Sequence, residues 1–259
     1  MHTDEKFFDT HAHYDDERYD PDRDELLKAI HAAGIEYIMN ITAGVESLDD
    51  SPALAEKYDF IYSSCGIHPH EAKNFTPAVR DRIDALCLHP KVKAVGEIGL
   101  DYFYDHSERD DQKKCFSDQL AIARSHKLPV IIHDREAHKD CIDILTAEKG
   151  WEFGGVFHCY SGSVEMAREI LKRGFHISFT GNITFPKAHK IHEVAAYVPI
   201  GRIMIETDCP YLSPEPLRGR RNDSSNLHYI AAAVAGIKGL DYESTAAKLF
   251  ENSLAFYGI

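Results

Sequence analysis

Residues 92–136 read VKAVGEIGLDYFYDHSERDDQKKCFSDQLAIARSHKLPVIIHDRE, and they predict one strand–helix–strand unit. The apolar segments over 92–102 and 128–136 predict strands, and the more polar segment over 108–127 predicts the helix between them. Two strands that are joined by a helix of this length lie parallel in the same sheet. The stretch therefore predicts an α/β fold that is built on a parallel sheet.

The same alternation continues on both sides of this unit. Strand-forming segments end near residues 13, 42, 66, 97, 133, 158, 180 and 208. Successive ends are separated by roughly 22 to 36 residues, which is the length of one strand and one helix. Eight such units predict a closed (β/α)8 TIM barrel, because an open doubly wound sheet would leave two edges and usually has fewer strands. No linker divides the chain, so we expect a single domain over residues 1–259.

Helix signals support this arrangement. In YDPDRDELLKAIHAAG (residues 19–34), Asp20 is the expected N-cap, Pro21 the first helical residue and Gly34 the terminator. In SVEMAREILKRG (residues 163–174), the apolar residues share one face and a glycine ends the helix. Further helices are expected over residues 45–58, 137–150, 225–237 and 242–257.

The composition excludes several classes of protein. A net charge of −13 argues against a protein that coats duplex nucleic acid or an anionic membrane with its whole surface. Six scattered cysteines without a CxxC pair predict free thiols rather than a disulfide framework or a zinc ribbon. The start MHTDEKFF lacks a secretion signal, and the longest apolar run, residues 230–237, is too short to span a bilayer. We therefore expect a soluble cytoplasmic protein without a membrane or an obligate protein partner.

Six side chains of metal-binding types stand at or near the ends of the predicted strands. They are His11, His13, Glu97, His133, His158 and Asp208. In a TIM barrel the carboxyl ends of all strands open to one mouth, which is where the catalytic sites of this fold lie. The two-residue period of a strand directs His11 and His13 to the same side, so that Ala12 spaces two donors toward one ion.

Each of these residues has a simpler interpretation when it is taken alone. A single His133 or His158 is more often a hydrogen-bonded core histidine, and a single Glu97 usually pairs with a cation. Together, buried imidazoles beside carboxylates are costly unless a positive charge compensates them. Because a catalytic zinc ion takes about three protein ligands, six donors predict two divalent ions, with magnesium, manganese, zinc and iron left open.

The expected arrangement of the two ions follows from the order of the strands. Glu97 stands on a central strand, and its two oxygens would bridge ions about 3.5 to 4 Å apart. The other donors are expected to divide into His11, His13 and Asp208 on one ion and His133 and His158 on the other.

Seven segments occur in the same order as the motifs of a known family. They are DTHAHY, CGIHPHE, GEIGLDY, VIIHDREA, FHCYSG, ISFTGNITF and IETDCPYLSPEPLRGRRN. Over essentially its whole length the chain resembles the TatD family of metal-dependent hydrolases, a branch of the amidohydrolase-like barrels. The resemblance implies a deoxyribonuclease-type phosphodiesterase, and it implies metal-ligand roles for the same six residues.

The two predicted ions suggest a hydrolytic mechanism. Water that is shared by two cations becomes acidic enough for hydroxide to attack phosphorus or a carbonyl carbon. Asp208 is the expected proton acceptor, and Glu97 is the second catalytic carboxylate. The alternative for Asp208 is a plain ligand without a role as base.

Arginines near the predicted mouth are candidates for phosphate binding. Arg135 follows the fifth strand and Arg218 follows the eighth, and both are expected to contact the substrate. Arg220 and Arg221 are interpreted equally well as part of a solvated loop. Screening over about 8 Å at physiological salt makes these local charges count for more than the net charge.

Three further features near the mouth are candidates for binding or orienting the substrate. The resemblance implies that His68 contacts a substrate phosphate, whereas His70 is expected to face water. Glu206 is placed with the substrate-binding residues, and it is expected to point into the barrel and orient a ligand. The aromatic residues 102–104 would either stack an unpaired base or pack internally.

The sequence therefore predicts a DNA-cleaving enzyme that acts on single-stranded or frayed ends, because it has no duplex-binding module and no basic stripe. Two alternatives remain open. One is an esterase or amidase such as an aminoacyl-tRNA deacylase, since the same hydroxide can attack carbon. The other is a barrel that retains its ions for stability without catalysis.

Overall fold

Eight strands hydrogen-bond side by side in the order of the chain, each parallel to the next. The computed structural model describes residues 5–259. The strands are β1 (Phe7–Ala12), β2 (Ile35–Asn40), β3 (Ile61–Cys65), β4 (Val92–Asp101), β5 (Val130–Arg135), β6 (Gly155–Phe157), β7 (His176–Phe179) and β8 (Ile203–Ile205). A parallel bridge joins Ala12 to Cys209, and the N–H of Asp208 donates to the carbonyl of His11 at 2.9 Å. These contacts close the sheet, and the predicted (β/α)8 TIM barrel is confirmed.

Nine α-helices accompany the strands within residues 5–259. They are α1 (Arg23–Ala32), α2 (Ser47–Lys57), α3 (Pro77–Leu86), α4 (Arg109–His126), α5 (His138–Ala147), α6 (Val164–Lys172), α7 (His189–Tyr197), α8 (Leu227–Lys238) and α9 (Tyr242–Tyr257). Helices α1 to α7 each link two consecutive strands, and α8 and α9 follow β8. The expected helical segments correspond to all of these except α3 and α7, for which the sequence analysis offers no bounds.

Apolar side chains from six strands fill the amino-terminal part of the barrel interior. They are Phe8, Met39, Ala94, Ile131, Val156 and Met204, and Tyr257 of α9 joins them. The Tyr257 hydroxyl donates to the carbonyl of Thr10 at 3.0 Å, so α9 covers this end of the barrel. Outward-facing strand residues pack under the helices in a second, larger apolar cluster. The polar carboxyl ends of the strands therefore lie above an apolar interior cluster.

Strand β1 departs from regular alternation just before its histidines. Phe8 faces the interior, whereas Ala12 packs in the outer cluster, and the pairing with β2 is irregular between Asp9 and Ala12. Strict alternation from Phe8 would have turned His11 toward the helices. The irregularity shifts the phase by one residue, so His11 points into the barrel.

Helix α1 begins later than predicted. Its first residue is Arg23, so the prediction of Asp20 as N-cap and Pro21 as first helical residue is wrong. The side chain of Asp16 caps a short 3₁₀ helix over Glu17–Tyr19 instead. Because this turn occupies the preceding residues, Asp20 lies outside the α-helix, where its carboxylate accepts from Arg23 at 2.5 Å.

Two predictions concern the membrane and the amino terminus. No helix within residues 5–259 combines the length and the apolar character that a membrane crossing requires. The predicted domain boundary at residue 1 and part of the segment MHTDEKFF lie outside the described residues.

Candidate metal centre

The carboxyl ends of the strands bring together seven side chains with metal-binding groups. They are His11, His13, His68, Glu97, His133, His158 and Asp208. Their side chains are between 0% and 17% exposed. The structure thus places all six predicted donors in one pocket at the mouth, and it adds His68.

Glu97 lies at the centre of this group. Its Oε1 is 2.6 Å from both His133 Nδ1 and His158 Nε2, and its Oε2 is 3.3 Å from His11 Nε2. Burial alone would raise the pKa of Glu97, but the neighbouring imidazoles, with His158 and His68 foremost, hold it well below its usual range. The carboxylate is therefore ionised, and with His68 Nε2 at 3.6 Å it reaches histidines in or just after four strands.

Asp208 and His13 face each other at the edge of the pocket. Asp208 Oδ1 lies 3.3 Å from His13 Nε2 and 3.7 Å from His11 Nε2. Burial alone would lower the pKa of His13, but the Asp208 carboxylate raises it to about 9. Burial likewise acts to raise the pKa of Asp208, and the contact with His13 and the charges of the nearby imidazoles outweigh it, so that this pKa is lowered. With its side chain 17% exposed, Asp208 is the most accessible donor.

Three sets of donor atoms are close enough to hold an ion. Within each set the atoms lie within 4.8 Å of one another, and the sets are His11 with His158 and Asp208, His11 with His13 and Glu97, and His68 with Glu97 and His133. Glu97 belongs to two of them. The expected division put His158 on the same ion as His133. In the structure His158 is grouped with His11 and Asp208 instead, and His68 lies beside His133.

His11 provides a test of whether these residues suit a cation. It is fully buried and stacks on His158 with ring centroids 4.0 Å apart. Neither of its ring nitrogens has a hydrogen-bond partner in residues 5–259. Burial, followed by the charge of His158, lowers its pKa, so the ring is neutral and can donate a lone pair. A buried nitrogen without a partner is costly, and a divalent cation would satisfy it, so the donor set fits a metal.

Asp101 is not one of the seven donors, but it hydrogen-bonds to the ring of His133 and so orients that donor. It is buried at the end of β4, and its Oδ2 accepts from His133 Nε2 at 3.0 Å and from His70 Nε2 at 2.9 Å. A carboxylate behind a metal-binding histidine fixes the orientation of the ring. The prediction that His70 faces water is therefore wrong, since it shares this buried carboxylate. Sequence reasoning missed Asp101, although an acid after GEIGL was the available signal.

Glu206 occupies a similar position behind His158. Its Oε1 accepts from His158 Nδ1 at 3.2 Å and from the backbone N–H of Cys159 at 2.7 Å. The residue is 1% exposed, so its carboxylate lies inside the barrel, as expected, and away from the mouth. Its contacts are those of a residue that orients His158 and not those of a substrate ligand.

Asp9 forms a second buried network below the donors. Its carboxylate accepts from the N–H of Thr207 at 2.9 Å, from the Thr207 hydroxyl at 2.5 Å and from the Ser224 hydroxyl at 2.6 Å. Burial raises the pKa of Asp9 to about 7. The network joins β1 to the segment after β8 and thereby positions His11 relative to Asp208. Its only sequence signal was an acid inside an apolar strand.

Comparison with known proteins places this centre in a family. A family model described as TatD related DNase matches residues 8–258. The chain belongs to the TatD family. It is accordingly a metal-dependent hydrolase that acts on ester bonds, and the interpretation as a barrel without catalysis is not retained.

Relatives and solved structures of the TatD family match the chain along its length. The chain is 41% identical over 252 residues to the uncharacterised metal-dependent hydrolase YabD of Bacillus subtilis, covering 97% of this chain and 99% of that one. It is 31% identical over 257 residues to the protein named 3′-5′ ssDNA/RNA exonuclease TatD of Citrobacter koseri, again with 97% and 99% coverage. The crystal structure of YjjV, a TatD homologue of Escherichia coli K12, has a TM-score of 0.92 at 29% identity, over 98% of each chain.

The arginines that follow β8 in this TatD-family chain have different partners. Arg218 is exposed, lies over the ring of Phe185 at 4.5 Å and makes no ion pair with any carboxylate of residues 5–259. Arg221 pairs with Asp22 at 2.6 Å, so it fastens the loop and is not free for a ligand. Arg220 is exposed, and its side chain makes no hydrogen bond within the described part of the chain. Of these three, Arg218 and Arg220 make no ion pair with a carboxylate within residues 5–259.

The aromatic residues after β4 divide in a similar way. Tyr102 is half-buried, and its hydroxyl donates to Asp140 at 2.7 Å, which matches the packing alternative. Phe103 and Tyr104 are 53% and 49% exposed, and the guanidinium of Arg135 lies 4.3 Å and 4.8 Å from their ring centroids. These two rings are therefore available at the surface.

Proposed function

We propose that this TatD-family hydrolase is a deoxyribonuclease that cleaves phosphodiester bonds of DNA, with single-stranded or frayed ends as the preferred substrate. The observation that carries the proposal is the set of six imidazole and carboxylate side chains around Glu97 at the barrel mouth. Phosphodiester hydrolysis requires that the charge on phosphate be neutralised and that a water molecule be activated. Relatives named as single-strand exonucleases support the choice of nucleic acid.

The donor sets suit two divalent cations that share Glu97. One would be held with His11 and His13, and the other with His68 and His133. The complete proposed ligand set is His11, His13, His68, Glu97, His133, His158 and Asp208. When bound, such cations lower the pKa of water and neutralise charge on a phosphate. An imidazole-rich set favours manganese, zinc or iron over calcium.

Asp208 is the proposed proton acceptor. Its shortest contacts with His13 and His11 are both made by Oδ1, at 3.3 Å and 3.7 Å. The lowered pKa of Asp208 keeps the carboxylate ionised at neutral pH. Oδ2 can therefore accept the proton of the attacking water while Oδ1 remains on the histidine side.

Arg135 and Arg218 are the proposed phosphate ligands. Both guanidinium groups rest on aromatic rings, and neither forms an ion pair with a carboxylate of the described chain. Their charge is thus free for a substrate anion, even though the whole protein carries a net charge of −13. An acidic surface that carries two unpaired arginines suits a strand end better than a long duplex.

Parallel assays of one metal-loaded preparation test this function. The substrates are a single-stranded oligonucleotide, the corresponding blunt duplex and an aminoacyl ester of a nucleic acid. We expect cleavage of the single strand in preference to the duplex and no hydrolysis of the acyl ester. Hydrolysis of the acyl ester alone would replace the proposal with the deacylase alternative. Preference for the blunt duplex would contradict the single-strand assignment.

We also propose that the protein works in the reducing cytoplasm. All six cysteines are free, and five of them are buried. The sulfur atoms of Cys65 and Cys87 lie 3.5 Å apart, at hydrogen-bond distance, and form no disulfide. Free thiols at this distance persist where the surroundings are reducing.

A further inference from the structure

The loop that follows β4 carries two exposed aromatic rings beside an arginine. We propose that Phe103, Tyr104 and Arg135, here called the aromatic wall, form a stacking site for an unpaired base of the substrate. This inference rests on the proposed nuclease function. It names what the site recognises in addition to phosphate, namely a nucleobase that is outside a duplex.

The exposure of the two rings is the first observation. Eight large apolar side chains are exposed within residues 5–259, and Phe103 and Tyr104 are the only two that are adjacent in the chain. They meet edge to face, with centroids 4.8 Å apart and an interplanar angle of 87°. Exposed rings that adjoin a polar site gain most from a flat partner that covers them.

The charge of the aromatic wall selects the type of partner. Arg135 lies over both rings and has no carboxylate within ion-pair distance in the described chain. The nearby Asp105 is already paired with Arg109 at 2.7 Å. The wall therefore combines aromatic faces with an uncompensated positive charge. A nucleotide offers the matching pair, a flat base and an anionic phosphate.

The position of the aromatic wall relative to the metal centre is set by Asp101. Its Oδ1 accepts from the backbone N–H groups of Phe103 at 3.0 Å and Tyr104 at 2.8 Å, while its Oδ2 accepts from His133 at 3.0 Å. The His70 ring lies between, 5.4 Å from the Tyr104 ring and 6.2 Å from that of His133. One buried carboxylate thus holds both the wall and a donor of the centre. A base on the wall belongs to a nucleotide close to the reacting phosphate.

This arrangement accounts for a preference for single strands. Bases inside a duplex are already stacked and paired, so they can reach the aromatic wall only after unpairing. Unpaired bases stack on protein rings without regard to sequence, because every base has a flat face. The inference therefore predicts recognition of bases with little preference among the four.

A tryptophan reporter tests stacking without requiring catalysis. The chain has a single tryptophan, Trp151, which packs against Phe175 at 4.6 Å between ring centroids. In the Phe103→Trp variant we expect the added emission to be quenched by a single-stranded oligonucleotide but not by an abasic strand of equal length. The matched control is Tyr197→Trp, since Tyr197 is 41% exposed and has Arg168 at 5.6 Å, but lies on α7. We expect no quenching in this control.

Kinetics provide the second readout. The double variant Phe103→Ala, Tyr104→Ala should raise KM for a single-stranded oligonucleotide by about 5- to 100-fold and leave kcat within a few-fold. KM for the abasic strand should change little, and the pair Phe103→Tyr, Tyr104→Phe should restore the KM for the base-containing strand. The Tyr197→Ala variant should match the wild type on both strands.

The two proposals fail in different ways. Absence of quenching at position 103, or an equal rise in KM on abasic and base-containing strands, would overturn the aromatic wall while leaving nuclease activity intact. Failure of the wild-type enzyme to cleave either strand would overturn the proposed function. In that case, quenching by the base-containing strand alone would still support the stacking site.

Discussion

At the scale of single residues, buried carboxyl groups of the same chemical kind behave differently because their neighbours differ. Glu97 and Asp208 face histidines, which lower the pKa of each despite burial. Asp9 is fully buried, and its carboxylate hydrogen-bonds with hydroxyl and backbone groups of Thr207, Ser224 and His11, so that burial raises its pKa to about 7. Residue type names the candidates, whereas the surroundings set the charge that each one carries.

The Asp208→Asn variant tests the proposed base. Asparagine keeps the shape and one oxygen donor but cannot take a proton, so we expect kcat to fall by about 10²- to 10⁴-fold. Most of the metal should remain bound, because six other donors are unchanged. Steady-state kinetics and elemental analysis of the purified protein measure both effects. The exposed Asp84→Asn variant is the control, and near-normal turnover in Asp208→Asn would rule out the base role.

His176 predicts a pH dependence of stability outside the metal centre. Burial, followed by the charge of Arg202, lowers its pKa from 6.5 to about 4, and its Nδ1 has no partner within residues 5–259. Between these pH values the unfolded chain binds a proton that the folded chain does not. The contribution of neutral His176 to the free energy of unfolding is therefore complete above about pH 6.5, and it is lost as the pH falls toward 4. Urea unfolding of the wild type and of His176→Gln should diverge in this window, and parallel pH profiles would refute the assignment.

At the scale of secondary structure, irregular strands determine which side chains enter the site. In β4, Val95 and Ile98 both pack in the outer cluster, and the pairing with β5 is irregular between them. An extra residue in this interval turns Glu97 into the barrel. Strands β5 and β6 need no extra residue. Ile131 and Val156 face the interior, and His133 and His158 follow them by two residues, so regular alternation directs both histidines inward. The irregular intervals Asp9–Ala12 and Val95–Ile98 thus lie in strands whose donors strict alternation would misplace, and the sheet has two further register shifts, at Phe7/Phe8 and at Ser63/Ser64.

Gly99 makes the irregular part of β4 possible. Its φ is 143°, and a Cβ at this position would overlap the carbonyl oxygen of His133. We expect Gly99→Ala to lower the free energy of unfolding by about 2 kcal/mol or more and to reduce bound metal, because β5 must move. Urea titration and elemental analysis measure the two effects. Gly236→Ala, whose Cβ would meet nothing within 4 Å, should be neutral or stabilising, and equal behaviour of both variants would contradict this explanation.

At the scale of the whole molecule, barrel closure concentrates donors from distant parts of the chain. The bridge from Ala12 to Cys209 and the bond from Asp208 to His11 join residues that are nearly 200 positions apart. The network of Asp9 reinforces the same seam through Thr207. Stability of the seam and binding of metal are therefore coupled.

Removal of metal should consequently destabilise the entire barrel. A ligand that binds only the folded state at about 100 times its Kd adds about 2.7 kcal/mol. For a chain of this size, we expect chelation to lower Tm by roughly 5–10 °C. Thermal unfolding with and without a chelator measures the shift, which should be much smaller in Glu97→Gln. An identical Tm in both conditions would show that the donors hold no stabilising ion.

How much of this protein could be predicted from its sequence depends on the range of the interactions. The eight strand–helix units, most of the helices and the six donors were predictable, because hydrophobic periodicity and turn residues act within one element. The phase shifts of β1 and β4, the carboxylate of Asp101 behind His133, and the inclusion of His68 were not. Each depends on which distant residues become neighbours, and only the closed barrel creates those neighbours, with the burial and charges that come with them.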